Sequence, residues 1–181
     1  MTETLVNGGY FLSPQQKNLW LAQQGAAKDS RSQIAFLLKG LVEAERLRSV
    51  INETASHYEI LRTVFRRKAG MKIPFQVILD RCDAAWEMRE LSSTNYDQVA
   101  QELLEAEATK EFDFERGPLV RALLAKLDTE THILALTFSP LCADSYSLRK
   151  LGIEILRRYA GHPNPAESEP LRYVQFSQWQ S

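Results

Sequence analysis

Metal-binding and redox chemistry have little to work with in this sequence. Its two cysteines, Cys82 and Cys142, stand far apart, and His57, His132 and His162 are scattered, so no group has the spacing of a metal site. Free thiols in this number fit a reducing, cytoplasmic setting. Charge of one sign is also missing: 22 basic residues against 23 acidic ones leave a net −1. Without an excess of positive charge nothing draws the chain to nucleic acid or to anionic lipid. Residues 1–10 hold neither the basic nor the apolar segment of an export signal, and no apolar run reaches the ~18 residues of a membrane span.

What is present is ordinary globular material. Of 181 residues, 44% are hydrophobic, enough to bury a substantial core in one unit. Ser13-Pro14-Gln15-Gln16 has the form of a helix start, with a serine cap, proline at the first helical position and glutamine at the third. That predicts a helix from Pro14 to about Gln24. Ile34, Phe36 and Leu38 alternate along a strand that Gly40 closes. Leu47, Val50, Ile51, Thr54, Ala55 and Tyr58 recur at three-and-four spacing and predict a second helix with one buried stripe.

Thr63 to Arg66, Phe75 to Leu79 and Ala85 to Arg89 read as short strands, and Tyr96 to Thr109 as a surface helix. Leu119 to Leu127 and His132 to Phe138 are two β-rich runs joined by Asp128-Thr129-Glu130, a hairpin of central strands. Leu148, Leu151, Ile155, Leu156 and Tyr159 predict a last long helix, stopped by Gly161 and Pro163. Residues 164–170 read as loop. The aromatic segment Tyr173 to Trp179 needs something to pack against. Irregular alternation of helices with strands and hairpins predicts an α/β (α+β) fold, a mixed sheet covered by helices.

Four stretches in order and spacing resemble the signature motifs of the condensation domains of nonribosomal peptide synthetases, whose lobes are similar to chloramphenicol acetyltransferase. Leu12 to Leu21 resembles the opening motif, and Tyr58-Glu59-Ile60-Leu61-Arg62-Thr63-Val64-Phe65 resembles RHExLRTxF, with His57-Tyr58 standing where the family has Arg-His. Phe112-Asp113-Phe114 with Gly117 to Ala122 resembles the lead-in to the central strand, and Tyr173 to Trp179 resembles YxDxAxWQ. The third motif, HHxxxDG, aligns with Ser139-Pro140-Leu141-Cys142-Ala143-Asp144-Ser145. There proline replaces the functional histidine, serine its neighbour, and serine the glycine; only Asp144 survives. Proline has neither an ionisable group nor a backbone N–H, so position 140 cannot take a proton or hydrogen-bond a nucleophile.

The resemblance implies that residues 1–181 are an N-terminal lobe from a larger multidomain synthetase, ending before the second lobe that completes the family's tunnel. It implies no directly bound cofactor, with phosphopantetheine carried by a partner carrier protein. It also implies that Asp144 is structural, pairing with Arg62, rather than a catalytic acid. Cys142 has no nearby histidine partner and reads as a small core residue. Ser139 lacks a base and a GxSxG elbow. His57 sits where a cation meets the negative end of a helix dipole, and His132 reads as a cross-strand neighbour. Arg157 and Arg158 are either helix-end cations or contacts for an acidic carrier surface, and Trp179 is the tryptophan most suited to touch a second lobe.

The leading expectation is a non-catalytic scaffold or recruitment surface for adenylation and carrier-protein domains or a tailoring enzyme. The alternative is the N-terminal half of an active condensation domain that forms amide or ester bonds. A free-standing interaction protein that self-associates through its aromatic C-terminal segment is a third reading.

Overall fold

The computed structural model describes residues 9–23, 31–162 and 173–179. The serine cap forms as its sequence predicts. The Gln16 amide donates to Ser13 Oγ and the Ser13 amide to Gln16 Oε1, each at 3.1 Å. Two backbone donors that helix α1 (Pro14–Gln23) would otherwise leave unmet are thereby satisfied.

Strand β1 (Ser32–Lys39) leads into α2 (Ala44–His57), a single 3₁₀ turn (Glu59–Arg62) and β2 (Thr63–Arg66). β3 (Phe75–Ile78), β4 (Ala85–Glu90) and α3 (Tyr96–Ala108) follow. The hairpin β5 (Val120–Lys126) and β6 (Thr131–Phe138) then precedes α4 (Ser145–Tyr159) and α5 (Tyr173–Trp179). Among the described residues one sheet has the order β1-β6-β5-β4, mixed because β4 runs parallel to β5 while the other pairs are antiparallel. β2 and β3 form a separate two-stranded sheet, to which Tyr10 adds a bridge at Gln76.

Every residue of β6 is buried because this strand is covered on both faces. Ile133 and Ala135 pack with Val99 and Leu103 of α3, whereas Leu134, Leu136 and Phe138 pack with Leu47 and Ile51 of α2 and Leu148 and Ile155 of α4. The result is three layers: α3, the sheet, then α2 with α4. Gly152 sets the closeness of the last contact, since a Cβ there would lie 2.5 Å from the Phe36 ring of β1. His132 stands directly opposite Lys126 across the hairpin.

The aromatic C-terminal segment forms the helix α5, whose described side chains Tyr173, Val174 and Ser177 meet this chain. Val174 is buried, Tyr173 Oη lies 3.1 Å from Ser13 Oγ, and Gln76 Nε2 donates to Ser177 Oγ at 3.4 Å. Trp179 closes α5, but its side chain and the loop expected at 164–170 lie outside the described residues.

Candidate functional site

Where β6 meets α4 the chain makes a tight turn that builds one wall of a cleft. Ser139 is fully buried at its start, and its carbonyl accepts from the amides of Cys142 at 2.9 Å and Ala143 at 3.2 Å. Its hydroxyl accepts from the Leu141 amide at 3.3 Å. Ser139 therefore organises backbone rather than offering a nucleophile. From α1, Gln16 reaches the same turn, donating from Nε2 to the Leu141 carbonyl at 3.1 Å and to Gln76 Oε1 at 3.0 Å.

The cleft has a volume of about 350 Å³, and its lining includes Pro140, Cys142, Asp144, Lys150, Glu154 and Tyr58. Leu19, Ile60, Leu141 and Leu151 give it apolar walls. Among the described residues no histidine lines it. Burial pushes the Cys142 thiol far above its usual range, so the thiolate needed by a nucleophile is strongly disfavoured. Cys82 is raised as well, first by burial and then by the neighbouring Asp83 carboxylate.

Asp144 does not pair with Arg62. It is exposed at the N-cap of α4, where its Oδ1 accepts from the Ser147 amide at 2.7 Å. That backbone bond, and after it the Ser147 side chain, hold the carboxyl below its usual value against the smaller opposing effect of burial. Arg62 instead donates to the Leu79 carbonyl and lies 3.7 Å from Glu59 within its own 3₁₀ turn. Each group has other partners: a helix cap for the carboxylate, and a local acid with the Leu79 carbonyl, seventeen residues on, for the guanidinium. Ser145 is exposed in the first turn of α4.

The side-chain bond that does cross the cleft joins Tyr58, the residue that caps the end of α2, to Glu154 of α4. Tyr58 Oη donates to Glu154 Oε2 at 2.8 Å, and Arg158 Nη2 meets Glu154 Oε1 at 3.0 Å. Burial first, and then the Glu154 carboxylate, push the Tyr58 hydroxyl up to about 12, so it remains a neutral donor. Arg158 is thus held against Glu154 and partly covered, whereas Arg157 is exposed. The i, i+4 step from Glu154 places Arg158 against that carboxylate while Arg157 faces out. His57 ends α2 with its ring edge-on to Tyr58, centroids 4.9 Å apart.

Sequence reasoning missed the Tyr58–Glu154 bond and the reach of Gln16. A signal existed for the first: Glu154 is the one acid in a helix that otherwise carries four basic residues. The described residues contain no group of three His, Cys, Asp or Glu side chains placed to hold a metal ion. No helix among them is long and apolar enough to cross a membrane.

Comparison with known proteins adds to this geometry. The family model described as "Condensation domain" matches residues 6–181. Chondramide synthase cmdD of Chondromyces crocatus is 32% identical over 178 residues, covering 93% of this chain and 4% of that protein. Surfactin synthase subunit 2 of Bacillus subtilis is 28% identical over 95% of the chain and 5% of its own length. Among solved structures, SgcC5 of Streptomyces globisporus superposes with a TM-score of 0.78 at 26% identity, over 93% of this chain and 41% of that one. An X-domain in complex with OxyB, from teicoplanin biosynthesis, gives 0.79 at 21% identity over 97% and 38%. The chain therefore spans a few per cent of the synthases and about two fifths of the solved chains.

Proposed function

The chain belongs to the condensation-domain family, and on that footing we propose that it is a non-catalytic lobe of a nonribosomal peptide synthetase, working as a recruitment surface in the cytoplasm. Its partners are neighbouring adenylation and carrier-protein domains, or a tailoring enzyme that acts on carrier-bound substrate. The observation that carries this reading is Pro140 on the wall of the cleft, at the position that the motif resemblance aligns with the family's functional histidine. A ring without a proton to exchange stands where general-base chemistry needs one. The other candidates there are occupied: the Cys142 thiol is held protonated, Asp144 caps a helix, and Glu154 is bound by Tyr58 and Arg158. The X-domain bound to OxyB supports recruitment as a use of this fold.

A phosphopantetheine arm on a carrier protein suits such a cleft. Leu19, Ile60 and Leu151 offer it apolar walls, and Lys150 offers a cation. The arm belongs to the partner, and the chain supplies only the surface. A second reading keeps the chemistry, because the cleft is open and the ionised Asp144 lines it. Losing a general base costs roughly 10² to 10⁴ in rate, so positioning alone would leave slow amide or ester formation.

The two readings separate in one set of measurements. Calorimetry of the chain against the adjoining adenylation and carrier domains and any co-encoded oxygenase is run beside a condensation assay of the full-length protein and its Asp144→Asn variant. Selective binding without condensation supports the platform. Condensation that is lost with Asp144→Asn, which retains the helix cap but not the carboxylate, overturns it.

A further inference from the structure

The outer face of α4 carries charge that the fold leaves unanswered. Tyr146, Arg149, Lys150, Ile153 and Arg157 recur at three-and-four spacing and form one exposed stripe. Tyr146 is 68% exposed and Ile153 42%, which is unusual for side chains of this size on one face. Among the described residues none of Arg149, Lys150 and Arg157 has a carboxylate within 4.0 Å, whereas Arg46, Arg48, Arg89 and Arg121 each do. Four basic residues against one acidic give α4 a net +3 in a chain of net −1, and the single acid, Glu154, faces inward.

We infer that this stripe is a docking surface for an acidic helical face of a partner protein. Charge complementarity names the occupant: three cations without a carboxylate partner, spread over about two turns, match carboxylates at the same spacing on a facing helix. Tyr146 supplies the anchor, an amphipathic ring with Lys150 Nζ 4.5 Å from its centroid. A lipid surface fits less well, because membrane-bound helices present a continuous apolar face and this one has two large apolar groups set among cations. Lys150 belongs both to the stripe and to the cleft lining, so a partner seated here stands beside the cleft mouth. The inference rests on the recruitment reading in that it names the surface which that reading requires.

The test uses a synthetic amphipathic helical peptide with glutamates on one face, titrated into the full ¹⁵N-labelled chain at low salt. We expect shift changes clustered at 146–157, loss of binding as salt rises, and at least tenfold weaker binding by the triple variant Arg149→Glu, Lys150→Glu, Arg157→Glu. A Tyr146→Ala variant, which leaves the charges in place, is expected to weaken binding severalfold. Changes centred elsewhere, or equal affinity in the triple variant with an unchanged melting temperature, overturn the assignment. So do concentration-dependent shifts of the same residues without peptide, which would make a second copy the occupant through its acidic α3, and retention on phosphatidylserine vesicles in place of the peptide. If the peptide binds the stripe but no neighbouring domain binds the chain, the recruitment reading fails and the surface stands. If neighbouring domains bind and the triple variant does not weaken them, the surface fails and the reading stands.

Discussion

Asp144 and Arg62 show how a motif resemblance and local geometry divide a residue's role. The resemblance joined them, but the carboxylate is taken by the first turn of α4 and the guanidinium by Glu59 and the Leu79 carbonyl. A double-mutant cycle checks this. Asp144→Ala should cost about 1 kcal/mol as a lost cap, and Asp144→Asn much less. The coupling with Arg62→Ala should stay within about 0.5 kcal/mol, as for sites without shared partners. Because its folded pKa is lowered, the cap's contribution is present above the unfolded pKa of Asp and fades as pH falls through the folded one. Tyr58 gives the opposite dependence. Its folded pKa of about 12 exceeds the ordinary 10.0, so its contribution is complete below pH 10 and is lost as pH rises toward 12. In urea titrations between pH 9 and 11.5, the wild type should therefore lose its advantage over Tyr58→Phe. A constant difference between the two would show that the hydroxyl does not hold Glu154.

At the scale of elements, Gly152 is where α4 and β1 come together, and two effects compete when it is changed. Alanine improves helix propensity by about 1 kcal/mol, but its Cβ would lie 2.5 Å from Phe36 Cε2 and Cζ. Overpacking costs roughly 1–3 kcal/mol, of which the half-buried Phe36 ring on the edge strand can relieve part by shifting, so Gly152→Ala should lower the unfolding free energy by about 1 kcal/mol. Adding Phe36→Leu should make the glycine substitution less costly than it is alone, which urea denaturation of the four proteins would show. The helices and strands themselves were legible because each carries its own period: three-and-four spacing from Leu47 to Tyr58, and a serine cap with a reciprocal glutamine at α1. Partnership was not legible. That β4 pairs parallel to β5 across α3, and that β2 and β3 leave the main sheet, depend on contacts between residues distant in sequence. The cleft was half legible for the same reason: the turn from Ser139 to Asp144 is continuous in sequence, whereas Tyr58 and Glu154 meet only through the packing of α2 on α4.

Taken whole, the molecule ties its two described ends to the cleft through one buried polar chain. Ser177 of α5 accepts from Gln76, Gln76 accepts from Gln16, and Gln16 donates to the Leu141 carbonyl in the turn beside Pro140. Tyr173 meets Ser13 at the cap of α1, so α5 is fastened at two points to elements far from it in sequence. The aromatic character of 173–179 signalled that this segment packs, but not against what. A buried network of this kind holds its geometry only while each member is satisfied, since an unpaired buried amide costs about 1–3 kcal/mol. Undocking α5 should therefore loosen the distant turn. Val174, 2% exposed, is the apolar contact that seats the helix, and Val174→Asp would bury an unpaired carboxylate if α5 stayed in place. In hydrogen exchange on the full chain, the amides of Leu141, Cys142 and Ala143 should then exchange roughly tenfold faster, equivalent to about 1.4 kcal/mol of lost protection, while those of β6 retain theirs. Unchanged exchange at these three amides would mean that α5 is an appendage and that the cleft wall is held by α1 and β6 alone.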